Sequence, residues 1–306
     1  MRMLTQCMIL VSIIMLVSDA VFLVHRILRR NVTASHGAGS RFLNAALIVC
    51  LAGVTVFFCI VYHVRFISWW IGALVFSAAM LFTLTLIWAF RQADGRAREN
   101  MELLETVACV IESGDPNLDG HSIHVRNLTM LLYDNLPLSY RLSINRENLR
   151  YAALLLDIGK LGIPRSIITK GGKLSPQEWA LVRRHPDLAA QVLEHIKGFG
   201  PVAAWIRFHH ERVDGTGYHH LKKEQIPLAS RIIAVADTYS AITMDRSYKA
   251  SMPYLDAVTE LRRASGTQLD SELVEFFCRI PQRKVEDCMA DVIRKMEPYQ
   301  NWTISE

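Results

Sequence analysis

The chain has 306 residues, a net charge of +5 at neutral pH, six cysteines and an apolar content of 51%. That length holds one or two domains, or one domain and a membrane region. The mild positive balance suits an anionic surface or an anionic substrate without selecting either, and no DNA or RNA partner is expected. Cys7, Cys50, Cys59, Cys109, Cys278 and Cys288 form no CxxC pair, which excludes a disulfide framework and a cysteine zinc site.

The apolar excess sits in the first 90 residues. Three stretches there, 4–24, 42–62 and 67–90, reach the length of about 20 apolar residues that crosses a bilayer. The first is followed by His25, Arg26, Arg29 and Arg30 rather than by a small-residue cleavage site, so it reads as a retained span. Trp69, Trp70 and Trp88 stand near the ends of the third, as an aromatic belt does. The loop after span one carries Arg26, Arg29, Arg30 and Arg41, and the segment after span three carries Arg91, Arg96 and Arg98. The connection between spans two and three carries only Arg65. The positive-inside rule then places the N-terminus outside and the C-terminal part in the cytoplasm. Asp19 lies inside span one and reads as reaching for the nearby interface. The region 1–92 is thus read as an anchor in the inner membrane, and 93–116 as a connector.

Within the connector, Met101, Leu104, Val107 or Ala108, and Ile111 recur at helical spacing over 99–113, a helix that either packs on the core or pairs with a second copy in a homodimer. From Asn117 to the C-terminus the pattern is all-α. Ser175-Pro176-Gln177-Glu178 is a capping box with proline at the first helical position. The His185-Pro186 step starts a further helix that runs to about Lys197, before Gly198. Residues 256–264 form another, and Asp270 caps the helix holding Leu273, Phe276 and Phe277.

Eight of the eleven histidines lie in this helical part. The adjacent pair His209-His210, followed by Glu211, suggests a metal. Asp157 and Asp237 each sit in an apolar helical run, where an unpaired carboxylate is costly and calls for a cation. A mixed imidazole and carboxylate set suits Fe, Mn, Zn or Ni better than Mg or Ca. Two such ions about 3.5–4 Å apart clamp a phosphodiester and supply a hydroxide.

The order of these residues resembles the HD-GYP domain, a branch of the HD phosphohydrolases, from about Glu105 to Phe277. Gly120-His121-Ser122 is similar to the opening histidine motif, and Asp157-Ile158-Gly159-Lys160 to the HD signature with its lysine. Arg184-His185-Pro186 matches the third motif. The run from His209-His210-Glu211 to Gly217-Tyr218 resembles the GYP stretch, and Ala234-Val235-Ala236-Asp237 the final aspartate helix. Arg246-Ser247-Tyr248-Lys249 and Gly266-Thr267-Gln268-Leu269-Asp270 match two further landmarks.

The resemblance implies a cyclic di-GMP phosphodiesterase with a helical-bundle fold and one or two divalent transition metals. It implies one metal at His121, Asp157 and Asp237, and another at Asp157, His185, His209 and His210. Lys160 and Asp157 would be catalytic, and Arg246, Lys249 and Tyr218 would bind substrate.

Four positions depart from the family pattern. Leu156 stands where the histidine of the HD dyad belongs, so the first metal loses a ligand. His219 replaces the proline of GYP, in a loop one residue shorter. Ser240 stands where aspartate is common. Asn117 stands where three-metal members carry glutamate, so no third metal is expected.

Overall fold

The computed structural model describes residues 101–109, 112, 120–244 and 251–300, with side chains to 296, and nine residues between 77 and 88. The chain divides into two compact units, 1–100 and 101–306. In the first, residues 77–78, 80–85 and 88 are helical. Among the described residues no helix is long and apolar enough to cross a membrane. The spans 4–24 and 42–62, Asp19 and most of 67–90 lie outside the described residues, as do Asn117, Arg246 and Lys249.

The second unit is helical, in line with the all-α reading. Its described elements are α1 (His121–Asn135), α2 (Leu138–Leu142), α3 (Arg146–Leu155), a 3-10 turn (Ile158–Gly162), α4 (Arg165–Ile168) and α5 (Pro176–Val182). Then come α6 (His185–Glu194), α7 (Gly200–Arg207), α8 (Leu228–Thr243), α9 (Tyr254–Ala264), α10 (Ser271–Cys278) and α11 (Gln282–Gln300). Two isolated bridges, Asp214 with Lys222 and Ser265 with Leu269, are the only β pairing among the described residues.

Local chemistry sets the boundaries. Ser175 and Glu178 form the reciprocal capping box at the start of α5, with Pro176 at its first position. Asp270 caps α10 by accepting from Glu272 N. The helix opened by His185-Pro186 stops at Glu194, three residues before the sequence suggested. Its next turn, 195–198, leads into Gly198, which is left-handed at φ 90°. Asp157 also departs from the reading of an aspartate within a helix. It follows the end of α3 at φ −100°, ψ 3°, and opens the 3-10 turn.

Packing follows from the apolar faces. Val125, Leu128 and Leu132 of α1 are fully buried and meet α8, where Ile232, Ile233, Val235 and Ala236 are fully buried. At about 25 cal/mol per Å² of apolar surface, each such aliphatic side chain contributes roughly 1.5–3 kcal/mol. α3 packs between α1 and α7, α7 lies on α6, and α6 lies on the 3-10 turn. A second apolar cluster joins Met101, Ala108 and Cys109 of the connector to Ile123 of α1, Leu154 of α3, and Val292 and Met296 of α11. Glu105 of the same connector helix pairs with Arg126 of α1, and with Lys295 of α11 at 2.7 Å.

Candidate metal centre

α1 and α8 each bring two polar residues one turn apart to the face they share. On α1 these are His121 and His124; on α8 they are Asp237 and Ser240. His121 Nε2 stands 3.1 Å from Asp237 Oδ1 and 4.0 Å from Asp157 Oδ2. The Ser240 hydroxyl lies 2.9 Å from Nδ1 of His121 and 2.9 Å from Nδ1 of His124. Gly120 begins α1 in the left-handed region at φ 76°, where a side chain would strain the backbone and strike Val292.

Asp157 is central. Its Oδ2 accepts from Lys160 Nζ at 2.8 Å, while Oδ1 faces His185 Nε2 at 3.3 Å. Gly159 permits this arrangement: a Cβ there would lie 1.9 Å from the carbonyl oxygen of His185. The missing side chain lets the 3-10 turn touch the first turn of α6, and so brings the aspartate to the histidine.

On the far side of Asp157, His185, His209 and His210 offer nitrogens all within 4.8 Å of one another. His185 Nδ1–H donates to Val182 O at 2.8 Å, and His209 Nδ1–H donates to Ile206 O at 2.6 Å. Those bonds fix the tautomers and leave each Nε2 as a lone pair. Both Nε2 atoms are buried with no hydrogen-bond partner among the described residues. Buried polar atoms are satisfied as a rule, so two orphaned lone pairs pointing into one cluster fit a divalent cation. The donors, three imidazoles and a carboxylate, fit a transition metal.

The electrostatics agree. Burial lowers His185 to about 4, against the opposing pull of Asp157, and holds His210 well below its ordinary value. His185 and His210 are therefore neutral ligand donors at neutral pH. Burial pushes the Asp157 carboxyl up, but Lys160, His185, His121 and His209 together hold it well below the usual range. Burial likewise opposes ionisation of Asp237, and its hydrogen bond with His121 leads the effects that outweigh it.

The sequence-derived ligands thus fall into two groups sharing Asp157: His121 and Asp237 on one side, His185, His209 and His210 on the other. Leu156, at the dyad position, is 1% exposed and belongs to the apolar core. Tyr218 is half-buried, its ring 4.9 Å from that of His210, with the Arg183 guanidinium over the ring at 5.6 Å. The loop histidines stay out of the cluster. His219 lies 3.2 Å from Asp187 and 3.3 Å from Glu211, and His220 is exposed.

Sequence reasoning passed over three buried residues here. Glu211 accepts from the backbone N–H of His219 at 2.6 Å and of Leu221 at 2.8 Å, which pins the loop after Tyr218. Glu112 accepts from Ser122 N at 2.7 Å, and burial raises it to about 7 against the opposing effects of His121 and Ser122. The third is His124, one helical turn from His121 on α1.

A family model described as an HD domain matches residues 105–273, more than half of the chain. A 3'3'-cGAMP-specific phosphodiesterase 3 of Vibrio cholerae is 37% identical over 164 residues, covering 53% of this chain and 35% of that protein. A cyclic di-GMP phosphodiesterase of Thermotoga maritima is 32% identical over 199 residues, covering 63% of this chain and 51% of that protein. The cyclic di-GMP phosphodiesterase PA4108 of Pseudomonas aeruginosa is 43% identical over 117 residues, covering 38% and 28%. The chain therefore spans between 28% and 51% of the length of these relatives. Among solved structures, a cyclic GMP-AMP-specific phosphodiesterase of Vibrio cholerae aligns at TM-score 0.48 and 22% identity, covering 64% of this chain and 53% of that one.

Proposed function

Because this chain belongs to the HD domain family, we propose that it is a metal-dependent phosphodiesterase that opens a cyclic dinucleotide, with cyclic di-GMP as the first candidate. The observation that carries this reading is the cluster of His185, His209 and His210, with two orphaned Nε2 lone pairs, set against Asp157. The relatives that act on cyclic di-GMP and on 3'3'-cGAMP support a cyclic dinucleotide.

Bound divalent metals would neutralise phosphate charge and lower the pKa of a water. His121, Asp157 and Asp237 would hold one, and Asp157, His185, His209 and His210 the other. Lys160, already 2.8 Å from Asp157, would place its ammonium against a phosphoryl oxygen. Tyr218 beside His210 would line the substrate side, and Arg246 and Lys249 would meet phosphate or guanine. Water adds to phosphorus, one P–O bond to ribose breaks, and the ribose oxygen leaves as a hydroxyl. The product is a linear dinucleotide, or GMP after a second round.

A second reading, a catalytically weak receptor for the same ligand or for a signalling partner, is favoured by Leu156. A two-metal reaction short of one ligand loses transition-state stabilisation. In either case residues 1–92 would anchor the chain in the inner membrane, N-terminus outside, with the metal centre in the cytoplasm.

One experiment separates these. The full-length protein, purified with Mn or Fe supplied, is assayed on cyclic di-GMP and 3'3'-cGAMP, and its metal content is measured. At least one tightly held transition metal per chain and turnover of either substrate are expected. Metal with binding but no turnover selects the receptor. An absence of metal refutes the centre itself.

A further inference from the structure

The hydroxyl of Ser240 is shared. It lies 2.9 Å from Nδ1 of His121 and 2.9 Å from Nδ1 of His124, and all three residues are at most 3% exposed. A hydroxyl has one proton to give. Its other near neighbour is the thioether of Met244 at 3.3 Å, a weak acceptor beside an imidazole nitrogen. The opposite edge of His121 is contested too, because Asp237 Oδ1 is 3.1 Å from Nε2. A neutral His121 therefore has two places for its ring proton. On Nε2 it bonds Asp237 and closes the ligand position. On Nδ1 it bonds Ser240 and leaves the Nε2 lone pair open towards Asp157 and Asp237.

We propose that Ser240 and His124 are positioning residues that hold His121 in the tautomer whose Nε2 can bind a divalent cation. His121 Nδ1–H donates to the Ser240 oxygen, and the Ser240 hydroxyl donates onward to His124 Nδ1. His124 gives this chain its direction. By accepting the hydroxyl proton, it turns the serine lone pair towards His121. Burial lowers His124 to about 3, so it accepts as a neutral ring. An ionised aspartate at position 240 would accept from both rings by itself. A serine needs a partner that takes its proton, and His124 is one turn from His121 on the same helix. The chain serves the half-site already short of a ligand at Leu156, where loss of the correct tautomer has the largest effect. This inference rests on the metal-centre reading given above.

The test uses Zn²⁺ as probe on full-length protein at pH 8. Nitrogen-resolved spectra of the histidine rings report tautomers, and zinc isotherms report affinity. In metal-free wild type the His121 ring proton is expected on Nδ1, and in Ser240→Ala on Nε2. Partners that orient ligands are typically worth 10–100-fold in metal affinity. Ser240→Ala should weaken one class of zinc site by that factor and leave the His185–His209–His210 class unchanged. Ser240→Thr, which keeps the hydroxyl, should restore it. His124→Phe should weaken the same class with the serine intact. Should Ser240→Thr not fold, the ring spectrum of Ser240→Ala decides alone. Unchanged zinc binding in folded Ser240→Ala overturns the proposal, and so does equal weakening of both classes together with a lower melting temperature. Wild type that binds no zinc overturns the metal centre itself, an outcome distinct from those two.

Discussion

Gly159→Ala is the sharpest test of how the centre is assembled. The added Cβ would lie 1.9 Å from the carbonyl oxygen of His185 and 2.7 Å from Ala189 N, and real Cβ atoms essentially never come within 3.0 Å. The 3-10 turn and α6 must therefore part by at least 1.1 Å, the gap between 1.9 Å and 3.0 Å. Backbone atoms cannot swing aside as a side-chain end does. Overpacking of this kind costs about 1–3 kcal/mol. For a unit of this size that lowers the melting temperature by roughly 3–10 °C. The same movement takes Asp157 away from His185, now 3.3 Å apart, so zinc affinity should fall on the order of 10–100-fold. Gly162→Ala is the control on the same turn. Its Cβ meets only Leu188 Cδ1, at 2.9 Å, and a leucine methyl can rotate away. Thermal melts and zinc isotherms of both variants decide the matter. A Gly159→Ala protein that melts and binds like wild type, or a Gly162→Ala protein damaged as badly, would refute the close approach as the device that positions Asp157.

Leu156→His places an imidazole in the apolar core. The metal-free variant should melt below wild type, and zinc should recover the loss, by about 2.7 kcal/mol at a hundred times Kd. Turnover of cyclic di-GMP should rise with it; no rise shows that Leu156 does not limit the centre. Asp270 is buried, pairs with Arg231 and lies 3.0 Å from Lys223. Burial opposes its ionisation, but Lys223 and Arg231 hold the carboxyl below its ordinary value. A depressed folded pKa gives stability that is present above the unfolded value near 4 and is lost as pH falls from there through the folded value. Asp270→Asn should therefore cost about 2 kcal/mol at pH 7, discounted for the partly exposed cations, and flatten the acid limb of a stability–pH curve. Glu211→Ala orphans the N–H groups of His219 and Leu221. A cost of roughly 2–6 kcal/mol follows from about 1–3 for each, and proteolysis between 216 and 222 should quicken.

The helical class, the capping box at Ser175 and the Asp270 cap were legible because each rests on neighbours within four residues. That His121, Asp157, His185, His209, His210 and Asp237 belong together was legible because the order of motifs names them. What stayed hidden depends on contacts between distant segments. Nothing local in His124 or Ser240 says that they meet through a hydroxyl, since that follows from the register of α1 on α8. Glu211 read as part of the histidine motif, while its work is to hold a loop eight to ten residues downstream. Asp157 read as helical because Leu154-Leu155-Leu156 precede it and Ile158 follows. The turn there is imposed by Gly159 against α6, a tertiary demand that overrides local propensity. The end of α6 was misjudged for the opposite reason, since Gly198 terminates the turn after the helix rather than the helix.

The connector's grip on α1 and α11 bears on where this domain begins. Met101, Ala108 and Cys109 close one wall of the cluster around Ile123 and Val292, and Glu105 is the counter-ion of both Arg126 and Lys295. A fragment starting at Asn117, where the helical reading of the domain begins, would bare that wall and take Glu105 away from Arg126, leaving Asp291 at 3.7 Å as its remaining carboxylate. A fragment that keeps this wall therefore starts no later than Met101. The helix at 101–109 then belongs to the packing around His121, since its cluster takes in Ile123 of the same helix α1.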